Sequence, residues 1–211
     1  TMTVLKTENL SIQFGGLMGV ANLNLDVKKG ELVGLIGPNG AGKTTVFNML
    51  TGVYKPSAGR IMVQDRSGQI QDIGQFHPYQ ITALGMARTF QNIRLFKNLT
   101  VLDNVRIGNH LNAKYKSVEG IFRLPGYYRE EKRIEEECME LLKIFDIDHK
   151  RGELAKNLPY GEQRKLEIVR ALATKPHILL LDEPAAGMNP QETLELMDLI
   201  KYIRERFALT I

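Results

Sequence analysis

The sequence predicts an α/β chain with an antiparallel β annex at its start and a helical insertion around residues 92–160. Three observations carry that expectation. Glu31–Ile36 is a compact apolar strand that runs straight into a glycine-rich turn, and the helix-forming run Thr44–Leu50 follows. His177–Leu181 is a second short apolar run, of the kind buried in parallel sheets. Val4–Asn9 and Leu23–Val27 alternate apolar and polar residues as half-exposed strands do, and Lys28-Lys29-Gly30 supplies a turn.

The other elements follow in order. Arg60–Val63 adds a strand to the annex. In the middle section, Tyr127–Asp146 sets Ile134, Cys138, Leu141, Leu142 and Phe145 on one stripe of a charged helix. Leu166–Ala173 reads as a helix ended by Lys175-Pro176. Gln191–Phe207 places Leu196, Leu199, Ile200, Ile203 and Phe207 on one face, and Ala208–Ile211 is apolar and strand-like. There is no internal repeat.

Composition narrows the function. With 43% hydrophobic and 25% charged side chains in 211 residues, disorder and collagen-like repeats are excluded. A formal charge of +4 is too small a surplus to argue for nucleic acid. The single cysteine, Cys138, excludes an intramolecular disulfide and a Cys-rich zinc site, and it fits a reducing compartment such as the cytosol. No run approaches the roughly 18 apolar residues of a membrane span, and Thr1–Leu10 lacks signal-peptide character. His77, His110, His149 and His177 are scattered without ligand spacing. Tyr115, Tyr127 and Tyr128 lie beside Lys114, Lys116 and Arg129, and they read as a solvated helix or loop rather than a nucleic-acid surface.

Two motifs carry chemistry. Gly37-Pro38-Asn39-Gly40-Ala41-Gly42-Lys43-Thr44 matches the phosphate-binding G-x-x-x-x-G-K-[ST] pattern between a strand and a helix. Its glycines let successive N–H groups and the helix N-terminus close around phosphate oxygens. Lys43 adds a point charge for the β- and γ-phosphates, and the Thr44 hydroxyl is a hard ligand for Mg²⁺. Thr45 either reaches the α-phosphate or only starts the helix. Asp182 and Glu183 stand at the C-terminal end of the second apolar run, where open α/β sheets place ligands. Asp182 suits the magnesium shell, and Glu183 suits a general base acting on water at the γ-phosphate.

Together these residues resemble the ATP-binding-cassette (ABC) ATPases, over essentially the whole chain. The resemblance implies a RecA-like P-loop NTPase core with an N-terminal antiparallel β subdomain and a helical insertion. It divides the single ABC domain into a core (1–91 and 161–211) and a helical subdomain (92–160). Gln91, in Arg88-Thr-Phe-Gln91, is similar to the family's Q-loop glutamine, which links magnesium and attacking water to a membrane partner. Phe14 resembles the aromatic that stacks on adenine, the lesser alternative being a strand Phe packed in the core. Leu158-Pro159-Tyr160-Gly161-Glu162 resembles the signature motif Leu-Ser-Gly-Gly-Gln, which closes over the ATP of a second subunit in a head-to-tail dimer. Here Pro159 replaces the serine and lacks its hydroxyl, which implies a heterodimer with one weakened ATP site.

The strongest likeness within the family is to ATPase subunits of branched-chain amino acid importers, through Phe14-Gly-Gly-Leu17 and Asp182-Glu-Pro-Ala-Ala-Gly-Met-Asn-Pro190. It implies transmembrane permease partners, a solute-binding protein acting indirectly, and a peripheral place on the cytoplasmic face of the membrane. Gln91–Phe96 would form the permease docking surface, unless Ile93, Leu95 and Phe96 are buried within the subunit. Related systems for urea, lipid or lipopolysaccharide are the alternative, and a non-transport ABC ATPase is a more distant one. The resemblance also implies truncation at the C-terminus, because the family's switch histidine would follow Ala208–Ile211 and no histidine follows His177. Such a chain is expected to bind ATP and hydrolyse it poorly.

Overall fold

A computed structural model of the chain describes residues 2–110 and 125–211, which cluster into two compact units. The first comprises Thr1–Arg88, Pro176–Asp182 and Ile200–Ile211; the second comprises Thr89–Lys175 and Glu183–Leu199. The division differs from the 1–91/161–211 and 92–160 partition expected from sequence, since residues 89–91, 161–175 and 183–199 cluster with the helical set.

In the first unit, β1 (Thr3–Phe14) and β2 (Leu17–Lys28) form a hairpin across Gly15-Gly16, both strands longer than their alternating segments suggested. With β3 (Ala58–Gln64) and β4 (Ile70–Asp72) they make an antiparallel sheet ordered β2-β1-β3-β4. Inward residues Leu5, Leu10, Ile12, Ile61 and Val63 pack with Val46, Met49 and Leu50 of α1 (Lys43–Leu50) and Ile81 of α2 (Pro78–Leu84). A parallel pair completes the unit: β5 (Met86–Arg88) runs alongside β6 (Ile178–Leu180), with Arg88 opposite Leu180. Thr210 bridges to Ile178 on the other side of β6.

Glu31–Ile36 departs from expectation. It is no regular strand: among the described residues its ladder partner is Ile211, through Val33 N–H to Ile211 O and Ile211 N–H to Glu31 O, both 2.9 Å. A strand's backbone is satisfied by its neighbours, and one residue of ladder leaves Leu32, Val33 and Leu35 exposed and Ile36 94% exposed.

In the second unit, α3 (Val101–Asn109) packs against α4 (Pro125–Ile144) and α5 (Tyr160–Ala173). The stripe expected on α4 is buried in full: Ile134, Cys138, Leu141, Leu142 and Phe145. The helix α5 begins at Tyr160, earlier than Leu166. Tyr115 and its lysine neighbours lie outside the described residues. The last helix, α6 (Pro190–Arg206), buries Leu196, Ile200 and Ile203, whereas Leu199 is half-buried and Phe207, just past its end, is 38% exposed.

Two stability predictions follow from this packing. A Cβ at Gly108 would lie 2.5 Å from Arg170 O, a backbone atom that cannot swing aside, whereas one at Gly152 meets nothing within 4 Å. Gly108→Ala is expected to cost about 2 kcal/mol in a denaturant titration while Gly152→Ala is neutral or slightly stabilising. His177 bonds Gln64 O through Nε2 at 2.7 Å, and its buried Nδ1 meets no hydrogen-bond partner among the described residues. Burial foremost lowers its pKa below 6.5, with Arg66 and Lys29 adding repulsion against the Gln64 bond and Asp65, which raise it. The unfolded chain therefore takes up this proton at higher pH than the folded one, so the stability linked to His177 is intact above about pH 6.5 and is lost as pH falls through the lowered value. His177→Gln should flatten the melting temperature across that window.

Candidate nucleotide-binding and hydrolysis site

The phosphate loop belongs to the first unit. Gly42 caps α1 at φ 83° and no side chain caps the helix, leaving first-turn N–H groups for an anion. A Cβ at Gly42 would stand 2.7 Å from Gly19 O, so the loop closes against the β1–β2 hairpin only with glycine there. Lys43 Nζ donates to Gly37 O at 2.7 Å and Pro38 O at 2.9 Å, loop carbonyls that stand where a phosphate would compete. Thr44 is exposed at the helix start. Phe14 ends β1 with its ring 44% exposed, edge-on to Tyr54 at 5.4 Å between centroids, and is not a core residue.

Asp182 follows β6 in the same unit. Its Oδ2 accepts from Arg88 Nη2 at 2.8 Å, and both side chains are 4% exposed. Arg88 Nη1 donates to Asn48 Oδ1 at 2.7 Å and Thr51 Oγ1 at 3.1 Å, and the guanidinium lies over Phe47. Sequence reasoning assigned Arg88 no role. The donor set, a threonine hydroxyl on α1 and a buried carboxylate, consists of hard oxygens that fit Mg²⁺.

The second unit holds Gln91 and Glu183 together: Gln91 Nε2 donates to Glu183 Oε2 at 2.9 Å, and both side chains are exposed. Glu183 sits at φ 45°, a conformation non-glycine residues seldom adopt and one that active sites retain. Buried Arg164 on α5 braces the glutamine loop, donating to Phe90 O at 2.8 Å and to Gln91 O. Its neighbour Glu167 accepts from the N–H groups of Phe90 and Arg94 at 3.3 Å and pairs with Arg164 at 3.4 Å. Farther along, Asn104 holds both backbone groups of Phe96, which is 49% exposed; Leu95 is buried and Ile93 half-buried, so of the three apolar residues Phe96 alone is fully outward. The signature segment starts α5 at Pro159, and no side chain caps the helix. Away from these groups, Asp146, Asp148 and His149 place one ligand atom each within 4.8 Å, a proximity that the histidine spacing did not disclose.

A phosphate loop before a helix and paired carboxylates after a buried strand define a P-loop nucleoside-triphosphatase. Residues 20–186 match the ABC transporter family profile. The chain is 42% identical over 208 residues to the high-affinity branched-chain amino acid transport ATP-binding protein LivG of Escherichia coli K12, covering 99% of this chain and 80% of that protein. It is 40% identical to BraF of Pseudomonas aeruginosa over the same shares of the two chains. A nucleotide-free ATP-binding cassette from an ABC transporter superposes with a TM-score of 0.79 at 30% identity, covering 97% of this chain and 78% of that one. The chain belongs to the ATP-binding subunits of ABC transporters, a family of ATPases. No helix among the described residues is long and apolar enough to cross a membrane.

Removing Arg164 orphans a buried carboxylate. Arg164→Met is expected to cost about 3 kcal/mol in denaturant unfolding, and adding Glu167→Gln should restore part of it by removing the charge while keeping an acceptor for Phe90 and Arg94.

Proposed function

We propose that this chain is the ATP-hydrolysing subunit of a branched-chain amino acid importer. The observation that carries the catalytic part is the Gln91–Glu183 hydrogen bond, which joins the glutamine loop to the candidate base without any intervening residue. Similarity to LivG and BraF supports the solute class.

In this reading the phosphate displaces the loop carbonyls from Lys43, and Gly37, Pro38, Asn39, Gly40, Ala41 and Gly42 wrap it with backbone while α1 adds its N-terminal N–H groups. Phe14 stacks on adenine and Thr45 supports the α-phosphate. Thr44, Asp182 and Gln91 hold Mg²⁺, which when bound neutralises charge on the β- and γ-phosphates. Glu183 takes a proton from the attacking water, and Gln91, already bonded to the Glu183 carboxylate, fixes the orientation of both. Chemistry of this kind is mostly positioning, which fits a general base held by a neighbouring amide rather than buried against a charge.

A second ATPase subunit would complete each site head-to-tail, this chain lending the N-terminus of α5. Pro159 lends no hydroxyl there, which supports a heterodimer of unequal sites. Phe96 offers an apolar contact to a permease subunit, a solute-binding protein would act through that permease, and the chain would rest on the cytoplasmic face of the membrane.

Lys43→Ala should abolish nucleotide binding by the chain. Glu183→Gln should retain ATP binding while lowering turnover of the assembled transporter by about 10² to 10⁴, the range a general base supplies. Near-normal turnover in the glutamine variant would refute the role given to Glu183.

A further inference from the structure

The geometry points to Arg88 as the positioning residue that sets the metal-shell carboxylate in place. The inference rests on the reading of Asp182 given above. Arg88 grips Asp182 by Oδ2 at 2.8 Å, with both side chains 4% exposed. Its other arm is fixed to Asn48 Oδ1 at 2.7 Å and Thr51 Oγ1 at 3.1 Å, and its plane lies over the Phe47 ring at 5.5 Å. A guanidinium anchored to Asn48 and Thr51 and lying over the Phe47 ring has a fixed position, so the Asp182 oxygen that it holds is fixed in place with it.

The anchors matter as much as the grip. Asn48 and Phe47 lie on α1 and Thr51 is its C-terminal cap, and the first turn of that helix carries Thr44. Arg88 itself ends β5, opposite Leu180, two residues before Asp182. Two of the oxygen donors proposed for Mg²⁺, Asp182 and Thr44, come from separate elements, and Arg88 ties the carboxylate of the first to the helix that bears the second. A buried ion pair adds little net stability, because desolvation offsets its Coulomb energy. What this one supplies is geometry. Lysine, a point charge without a fork, can meet Asp182 or the α1 acceptors but not both in this arrangement.

The test uses the 211-residue chain and reads Mn²⁺ binding by electron paramagnetic resonance with a non-hydrolysable ATP analogue, beside analogue binding in EDTA. Arg88→Lys should leave metal-free nucleotide binding within about twofold and raise the Mn²⁺ concentration at half-saturation about tenfold, the effect typical of residues that orient metal ligands. In an Asp182→Asn background the same change should add less than about twofold, because the two residues act as one unit. An unchanged Mn²⁺ titration in Arg88→Lys, or an equal shift in both backgrounds, overturns the inference while leaving Asp182 as a ligand. An unchanged titration in Asp182→Asn overturns the reading of Asp182 itself. If Arg88→Lys loses nucleotide binding in EDTA, Asn48→Ala, which frees one anchor and keeps the ion pair, decides: a rise of about threefold supports the positioning role, and none overturns it.

Discussion

A carboxylate sealed from water at the end of a buried strand must be answered by another group, and in the first unit Arg88 answers Asp182. An isolated ion of that kind would cost several kcal/mol. The answer comes from β5, the strand paired with β6, and it reaches on to Asn48 and Thr51 of α1. The short parallel pair and the phosphate-loop helix are thereby referenced to one guanidinium. This matters more because Glu31–Ile36, which leads into the loop, has so little ladder of its own. The loop is held from behind, by Gly42 against Gly19 O and by α1 in the core, rather than by the segment that precedes it.

The second unit solves a similar problem with backbone instead of a carboxylate. Residues 90–94 form no regular structure, so their N–H and C=O groups need side-chain partners. Arg164 takes the carbonyls of Phe90 and Gln91, and Glu167 takes the N–H groups of Phe90 and Arg94. Both lie on one face of α5, three residues apart, so a single helix grips the loop from donor and acceptor sides at once. The Gln91 side chain is left outward, free to meet Glu183.

The parts of this arrangement legible in the sequence are those with fixed local spacing. The phosphate loop declares itself because glycines, lysine and threonine must follow one another for backbone to wrap an anion, and the α4 stripe declares itself because helical period forces Ile134, Cys138, Leu141 and Leu142 to one side. Arg88 and Arg164 were illegible for the opposite reason: arginine ordinarily signals surface, and their partners Asp182 and Phe90 lie 94 and 74 positions away. Strand assignment failed at Glu31–Ile36 because an apolar run states a preference while a ladder needs a neighbour. The helix Pro78–Leu84 was missed although its signal was present, since Pro78 opens it and Gln80 Oε1 accepts from His77 N–H as a capping box does.

The departures from the family's motifs make sense together rather than singly. Against Leu-Ser-Gly-Gly-Gln, the chain sets Tyr160 where the first glycine stands, and Gly187 lies against the tyrosine ring. A Cβ at Gly187 would lie 3.0 Å from Tyr160 Cε1, and Gly187 holds φ 80°, so alanine would be both crowded and strained beside the tyrosine ring. The ring then does structural work that glycine could not, its hydroxyl accepting from Arg164 Nη2 at 3.0 Å and Nε at 3.2 Å, so the arginine that braces the glutamine loop is itself braced from the signature. Pro159 brings no hydroxyl to the segment, and Tyr160 beside it brings one that holds the chain's own glutamine loop through Arg164.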